Sequence, residues 1–407
     1  MDLIGIKFID QLELAEKRIL IRVDFNVPLD ENQQITDETR IQAALPTIRY
    51  ALEQEDAKVI LASHLGRPKG EVDERLSLKP VGNRLAELLG VEVLMPEDIG
   101  GKFVNKLISD MRKGQLMLLE NLRFEPGEKG GSPTFGRTLS ELADIYINDA
   151  FGTSHRKHAS IYHVAKYFDR NHKAAGFLIK EELEQLSKLT DSPKSPFTAI
   201  VGGAKVSDKL GILNTLVERV DNVLIGGAMA YTFLKAKKVE VGNSLVESEF
   251  VERAREIMVK AAHRGVTFHL PLDHVVARSI DAQADEVTTT PGASIPRAMA
   301  GFDIGPQTVD LYRSVIAESK SVFWNGPMGV FERKPFATGT MDVAYALAKS
   351  DAFSVIGGGD SAAAINAAGV ADQISHISTG GGASLQMIEG KELPGIEALR
   401  ANYPFEF

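Results

Sequence analysis

Short, unbroken apolar runs recur along this chain, and each closes on polar or glycine residues. In the first half they are Ile19-Leu20-Ile21, Val59-Ile60-Leu61-Ala62, Leu116-Met117-Leu118-Leu119 and Ile145-Tyr146-Ile147. In the second half they are Phe197-Thr198-Ala199-Ile200-Val201, Val223-Leu224-Ile225, Val322-Phe323-Trp324 and Val355-Ile356, with a more polar one at Ile374-Ser375-His376-Ile377. Runs this short and this apolar read as strands covered on both faces. Helical spacing marks residues 39–52, 174–189 and 210–216. Strands alternating with helices predict an α/β chain built on parallel sheets. The long middle helix stops at Thr190-Asp191-Ser192-Pro193-Lys194-Ser195-Pro196, because serine and proline cannot continue it. That stop predicts a first lobe over residues 1–173, a joint helix and hinge over 174–196, a second lobe over 197–390 and a terminal segment over 391–407.

The second lobe repeats one device, a strand that ends in glycine just before a helix. Its richest copy is Ile200-Val201-Gly202-Gly203-Ala204-Lys205-Val206-Ser207-Asp208-Lys209. Glycine lets a ligand approach the main chain, and a helix start offers unpaired N–H groups to an anion. Lys205 and Lys209, four apart, are expected on one face of the first helical turn. The device returns at Gly226-Gly227, at Gly357-Gly358-Gly359-Asp360-Ser361 and at Ser378-Thr379-Gly380-Gly381-Gly382. Several such exits on one sheet edge suit a polyphosphate; tight packing of the loops is the other meaning of the same glycines. Asp360 would repel phosphate unless a cation stood between them, which suits Mg²⁺ held by one carboxylate and phosphate oxygens. It also reads as a helix N-cap. Asn325 and Glu332, in the loop after Val322-Phe323-Trp324, are candidates to hydrogen-bond a ribose or base.

In the first lobe the strand exits are polar and basic. Asp24 and Asn26 follow the first strand and project to the same side. Arg40 opens the helix at 39–52. His64 and Arg67 follow the second strand, Arg123 the next, and His155 and Arg156 the last. An Asx turn and solvated arginines would explain each alone. Four basic exits in one lobe point to a shared anion, whose oxygens arginine forks match well.

Composition narrows the chemistry. The 407 residues are 44% hydrophobic with a net charge of −9, so a general nucleic-acid binder is excluded and any anion must be held by a local basic cluster. Cysteine is absent, which removes disulfides, thiol nucleophiles and cysteine zinc sites. With no cysteine and no acidic partner at matching spacing, His155 and His158 do not read as a metal pair. No apolar run reaches the ~18 residues of a membrane span, and the first residues lack a signal-peptide pattern, so the cytoplasm is expected. There is no G-x-x-x-x-G-K-[ST] loop and no H-R-D loop. Gly357, Gly359 and Ala362 fit G-x-G-x-x-A, but the next strand ends Ile377-Ser378-Thr379-Gly380, without the acidic residue that a nicotinamide dinucleotide site needs.

Seven stretches together resemble the phosphoglycerate kinase family, in its order and across the whole chain. They are residues 22–28 (RVDFNVP), 64–68 (HLGRP), 118–124 (LLENLRF), 202–209 (GGAKVSDK), 325–332 (NGPMGVFE), 357–361 (GGGDS) and 378–384 (STGGGAS). The resemblance implies two Rossmann-like α/β lobes facing across a hinged cleft and a magnesium-dependent kinase. Residues Asp24, Phe25, Asn26, Arg40, His64, Leu65, Gly66, Arg67, Arg123, His155 and Arg156 would bind 3-phosphoglycerate or 1,3-bisphosphoglycerate. The nucleotide, ADP or ATP, would meet Gly202, Gly203, Lys205, Lys209, Gly226, Gly227, Gly301, Asn325, Pro327, Glu332, Gly357, Gly358, Gly359, Asp360 and Ser361, with Asp360 on Mg²⁺. Catalysis would fall to Arg40, Lys205, Lys209 and the N–H groups around Gly381 and Gly382. The resemblance further implies a monomer free of nucleic acid and membrane, whose end, with Tyr403, Phe405 and Phe407, packs on the first lobe. A non-catalytic two-lobed nucleotide or metabolite binder is the alternative.

Overall fold

The computed structural model describes residues 5–400. Among the described residues the chain divides into two compact units, residues 5–184 with 392–400, and residues 185–391. The aromatic tail residues named above lie outside the described residues.

Unit 1 contains strands β1 (Arg18–Arg22), β2 (Lys58–Ala62), β3 (Glu92–Leu94), β4 (Gln115–Leu118), β5 (Ile145–Asn148) and β6 (Lys173–Ala175). They form one parallel sheet in the order β3-β4-β2-β1-β5-β6. Its central strands are buried on both faces, as their unbroken apolar runs require. Helices α1 (Thr39–Leu52), α2 (Lys79–Leu89), α3 (Lys102–Asp110), α4 (Pro126–Lys129), α5 (Pro133–Ser140) and α6 (Phe177–Thr190) accompany the strands. The core of one face gathers Ile19, Ile21, Val59, Leu61, Leu116 and Leu118 with Ile41, Leu45 and Ile48 of α1. The chain leaves β1 toward β2 on one side and later returns to place β5 on the other. The crevice at the β1/β5 carboxyl ends is therefore a topological switch point, where ligands bind in open α/β sheets.

The middle helix begins later than its periodicity suggests. Residues 173–175 are the sixth strand, paired with Tyr146–Asn148, and helix α6 starts only at Phe177. Gly176 makes the corner, since a Cβ there would lie 2.3 Å from the Asp149 carboxyl. Asp149 accepts the Ile179 N–H at 3.2 Å, and Thr47 accepts that of Phe177 at 2.8 Å, so the first turn of α6 is capped. The division between units falls inside this helix, after Glu184. Residues 392–400 join unit 1, where the Gly395 N–H donates to the Ser154 carbonyl at 2.8 Å.

Unit 2 contains β7 (Phe197–Val201), β8 (Asn222–Ile225), β9 (Thr267–His269), β10 (His274–Ala277), β11 (Thr288–Thr289), β12 (Ala300–Ile304), β13 (Ser321–Asn325), β14 (Phe353–Ile356) and β15 (His376–Ile377). The main sheet is parallel, in the order β15-β14-β13-β7-β8-β9. Its switch point lies between β7 and β13. Helices α7 (Leu210–Leu216), α8 (Met229–Ala236), α9 (Val251–His263), α10 (Pro306–Glu318), α11 (Thr338–Ala348), α12 (Gly359–Ala367) and α13 (Gly382–Ile388) complete this unit. The remaining strands make a small antiparallel sheet, β11-β10-β12, that the pattern of apolar runs did not announce.

Candidate active site

In unit 1 the polar strand exits come together. Asp24 is 8% exposed and pairs with Arg40 of α1 at 2.6 Å. Burial alone would raise its pKa, but the basic neighbours His64, Arg40 and Arg22 outweigh burial and hold it below its ordinary value. His64, 3% exposed, is driven well below its ordinary value by burial and by Arg22, Arg123 and Arg40, which Asp24 only partly offsets. Its ring is therefore neutral at neutral pH, and the two arginines keep Asp24 ionised. Asn26 accepts the Gly66 N–H at 2.8 Å, and Arg123 donates to the Gly66 carbonyl at 2.6 Å. Gly66 has φ +61°, a turn that glycine takes without strain. Phe25 and Leu65 are buried supports, their N–H groups bound by Ser63 at 2.8 Å and Asn121 at 3.2 Å.

Arg67 and Arg156 are exposed and have no carboxylate partner among the described residues. Arg67 and Arg22 are close enough to Arg123 to lower its pKa, though burial is the larger cause. Burial depresses His155, helped by Arg156. His158 falls to about 4 through burial and then through Arg22, Arg123, Arg156 and His155. These mutual effects place Arg22, Arg67, Arg123, His155, Arg156 and His158 in one patch, at whose surface Arg67 and Arg156 are the charges left without a carboxylate among the described residues. Sequence reasoning missed Arg22, Glu128 and Ser160 in the patch's buried base, and weighed His158 only as half of a metal pair. The local signal was an arginine closing an apolar run at Arg22.

In unit 2 the glycine loops stack on one another at the β7/β13 switch point. Gly202 and Gly203 donate to the Asn325 and Pro327 carbonyls, both at 3.0 Å, and Gly227 to the Met328 carbonyl at 2.8 Å. A Cβ on Gly202 would lie 2.1 Å from the Pro327 oxygen, and one on Gly227 2.4 Å from the Gly203 oxygen. A Cβ on Gly226 would meet the Met328 sulfur at 2.4 Å. These glycines thus allow loop-to-loop packing. Gly359 and Gly381, by contrast, have nothing within 4 Å of a Cβ, so their backbones border open space. Gly381, at φ +48°, turns the chain into α13, which begins at Gly382.

The two lysines do not share a helical turn. Regular helix starts at Leu210, after a separate turn over Ser207–Lys209. Glu247 binds the Ser207 N–H at 3.0 Å and its hydroxyl at 2.7 Å, which fixes that turn apart from α7. Lys205 is exposed ahead of it, whereas Lys209 points to Asn325 and donates to its Oδ1. Burial lowers Lys209, and Asp208 and Asp360 partly offset the shift. Asn325 donates onward to the Gly357 carbonyl, and a Cβ on Gly358 would lie 2.7 Å from that amide. Ser361 accepts the Gly326 N–H at 2.6 Å, which ties α12 to the β13 exit.

Asp360 is exposed in the first turn of α12 and has no cationic partner within salt-bridge distance among the described residues. Those residues hold no group of three or more His, Cys, Asp or Glu able to cage a metal. A single free carboxylate beside glycine loops at a switch point fits Mg²⁺, which keeps most of its shell for oxygens of a ligand and water. Glu332 is exposed and Pro327 half-buried in the loop after β13. Gly301 lies on β12 instead of a glycine loop; its missing Cβ makes room for Tyr231, whose hydroxyl would be 2.0 Å away. Sequence reasoning also missed Thr340, which accepts the Met328 and Gly329 N–H groups at 3.1 Å, and Asp303, which accepts that of Gly339 at 2.7 Å. Thr340 thus holds the loop after β13 and Asp303 the first turn of α11, from positions that carry no local motif.

The family model for phosphoglycerate kinase matches residues 9–391. The chain is 54% identical over 396 residues to a phosphoglycerate kinase of Anaeromyxobacter dehalogenans, covering 97% of this chain and 99% of that one. It is 49% identical over 398 residues to that of Koribacter versatilis, covering 96% and 98%. Among solved structures, phosphoglycerate kinase from Coxiella burnetii superposes with a TM-score of 0.85 at 39% identity, covering 97% of this chain and 98% of that one. The enzyme from Pyrococcus horikoshii gives 0.83 at 34%, with the same coverage. Two parallel-sheet units, each with its polar exits at a switch point, and this similarity over nearly the whole length agree: the chain belongs to the phosphoglycerate kinase family of glycolytic phosphotransferases.

Proposed function

We propose that unit 1 binds the phosphoglycerate and unit 2 the magnesium nucleotide, and that the phosphoryl group passes directly and in line between 1,3-bisphosphoglycerate and ADP. The observation that carries the first half is the patch in which Arg67 and Arg156 stand exposed, without a protein carboxylate among the described residues, beside Arg123 and the histidines. Uncompensated positive charge in an acidic chain fits a small polyanion. Arg67, Arg123, Arg156 and His155 take the substrate phosphate in this reading. Asp24, Asn26 and His64, with Phe25, Leu65 and Gly66 behind them, take its hydroxyl and carboxyl end.

On the nucleotide side, Gly202, Gly203, Gly226, Gly227, Gly301, Pro327 and Glu332 line adenine and ribose. Lys205, Asn325 and the segment from Gly357 to Ser361 meet the phosphates. Asp360 would hold Mg²⁺, which supplies charge neutralisation on the phosphate oxygens. A transferring phosphoryl group needs placement and charge stabilisation more than a covalent nucleophile. Lys209 is suited to that: Asn325 aims its ammonium, and its partial burial strengthens any charge it meets. Arg40 and the N–H groups at Gly381 and Gly382 share the remaining charge. Closure about residues 174–196 brings the two substrates together and excludes water. The chain acts in the cytoplasm as a monomer.

The test is ATP consumption in the presence of 3-phosphoglycerate and Mg²⁺, with a coupling enzyme removing the acyl phosphate. Turnover is expected only with all three. Turnover that persists without 3-phosphoglycerate or without Mg²⁺ overturns the assignment.

A further inference from the structure

Arg22 is aimed at His64 and away from solvent. It is 1% exposed, and each of its three nitrogens faces a partner within unit 1. Nε donates to the Ser160 hydroxyl at 2.8 Å, Nη1 to the Val23 carbonyl, and Nη2 lies 3.1 Å from Nδ1 of His64. A guanidinium has no acceptor and keeps its proton in proteins, so Nδ1 must be the accepting nitrogen. The proton of the neutral ring then sits on Nε2, which has no protein partner among the described residues.

The arginine is itself held. The Ser160 hydroxyl donates to Glu128 Oε1 at 2.6 Å, and its N–H to Oε2 at 3.0 Å. Glu128 is fully buried, 4.0 Å from Arg22 Nη2. One group favours the opposite tautomer, Asp24, whose Oδ1 lies 3.9 Å from Nδ1, beyond hydrogen-bond distance. Its other oxygen is bound to Arg40. Asp24 with Arg22 from the end of β1, Arg40 from α1 and Arg123 from the turn after β4 are the charged groups around the ring.

We propose that Arg22, set in place by Ser160 and Glu128, is a positioning residue that locks His64 as the Nε2–H tautomer, so that His64 meets the anionic substrate as a neutral hydrogen-bond donor and not as a titrating cation. The inference rests on the substrate-side reading of His64 given above. It separates two roles in the basic patch: arginines at the surface supply charge, and a buried arginine supplies direction.

The direct test is long-range ¹H–¹⁵N NMR of the full-length, ligand-free enzyme, with the His64 signals assigned through His64→Gln. The expected result is a bare Nδ1 and a protonated Nε2 from pH 6 to pH 8, without titration. An Nδ1–H tautomer, or a ring that titrates near its ordinary value, overturns the lock. The second arm is Arg22→Met. Losing a hydrogen bond to a charged ligand predicts a KM for 3-phosphoglycerate raised about ten- to a hundredfold at pH 8, with kcat changed much less. As pH falls to 6 the freed imidazole gains a second N–H, so the variant-to-wild-type KM ratio should shrink; taking the ratio cancels the ionisation of the substrate. A ratio independent of pH refutes the donor role. Where Arg22→Met does not fold, Ser160→Ala removes the anchor at Nε, and the same NMR experiment reads whether the tautomer is lost. An unchanged KM in His64→Ala would sink the substrate-side reading and with it the donor role, while NMR still decides the lock.

Discussion

Asp303 offers the sharpest check on the energetics of unit 2. Its carboxylate is 1% exposed beneath the loop that follows β13. Oδ1 accepts the Ile304 N–H at 2.9 Å and Oδ2 that of Gly339 at 2.7 Å. Burial raises its pKa from 3.8 to about 8, with the two N–H groups pulling the other way and Asp342 adding a little. Between those values the folded chain keeps a proton that the unfolded chain has released. Stability is therefore lost as pH rises through this window, with a slope near 1.36 kcal/mol per pH unit and a total on the order of 5 kcal/mol. Asp303→Asn removes the ionisation. It also replaces one acceptor by an NH₂ that faces a backbone N–H, a cost of about 1–3 kcal/mol at every pH. The variant should be the less stable protein at low pH and the more stable one at pH 8, with a crossover between about pH 4.5 and pH 6. Trp324 is the chain's one tryptophan and is fully buried in unit 2, so its fluorescence in urea reports on this unit alone. A local probe matters because a chain of two units need not unfold in one step. A stability difference between variant and wild type that stays flat from pH 5 to pH 8, or that moves in favour of the wild type as pH rises, refutes the reasoning.

Lys209→Ala should lower kcat by roughly a hundredfold or more, the loss seen when one preorganised transition-state donor is removed; steady-state rates at saturating substrates decide, and an unchanged kcat removes Lys209 from the chemistry. Asp360→Ala should raise the Mg²⁺ concentration needed for nucleotide binding while metal-free nucleotide binds much as before; calorimetric titrations with and without Mg²⁺ separate the two, and matching metal curves would rule out the ligand role. Gly326 sits at φ +95° with a Cβ position 2.2 Å from the Gly202 oxygen, so Gly326→Ala should cost at least about 1–3 kcal/mol by Trp324 fluorescence in urea. Gly359 has open space and no positive φ, so Gly359→Ala should stay within about 0.5 kcal/mol by the same assay, and equal losses at the two sites would contradict the packing account.

Much of the architecture was legible because each parallel strand is covered on both faces and so writes itself as an apolar run. The exits were legible for a related reason. A strand that ends at the switch-point edge of its sheet changes abruptly from apolar to polar or glycine, as at Ser63-His64 and Val201-Gly202. Boundaries were less so. The small alanines at 174 and 175 serve strand β6 as readily as a helix, and a Gly176–Asp149 contact, far apart in sequence, decides where α6 begins. Ser207 likewise leaves the helix because Glu247, forty residues on, takes its N–H and hydroxyl.

Alone, the sequence determined the class of fold and the two-part division, and it nominated the candidate residues, because those follow from local periodicity and short motifs. Only the tertiary structure decided what each residue does for its neighbours. It turned Gly202, Gly226 and Gly227 into spacers between loops and aimed Lys209 through Asn325. It also buried Arg22 on a Glu128–Ser160 base where it governs His64. Hydrogen bonds and excluded volume act across space between strands that meet only when the sheet forms, and a one-dimensional pattern carries no record of them.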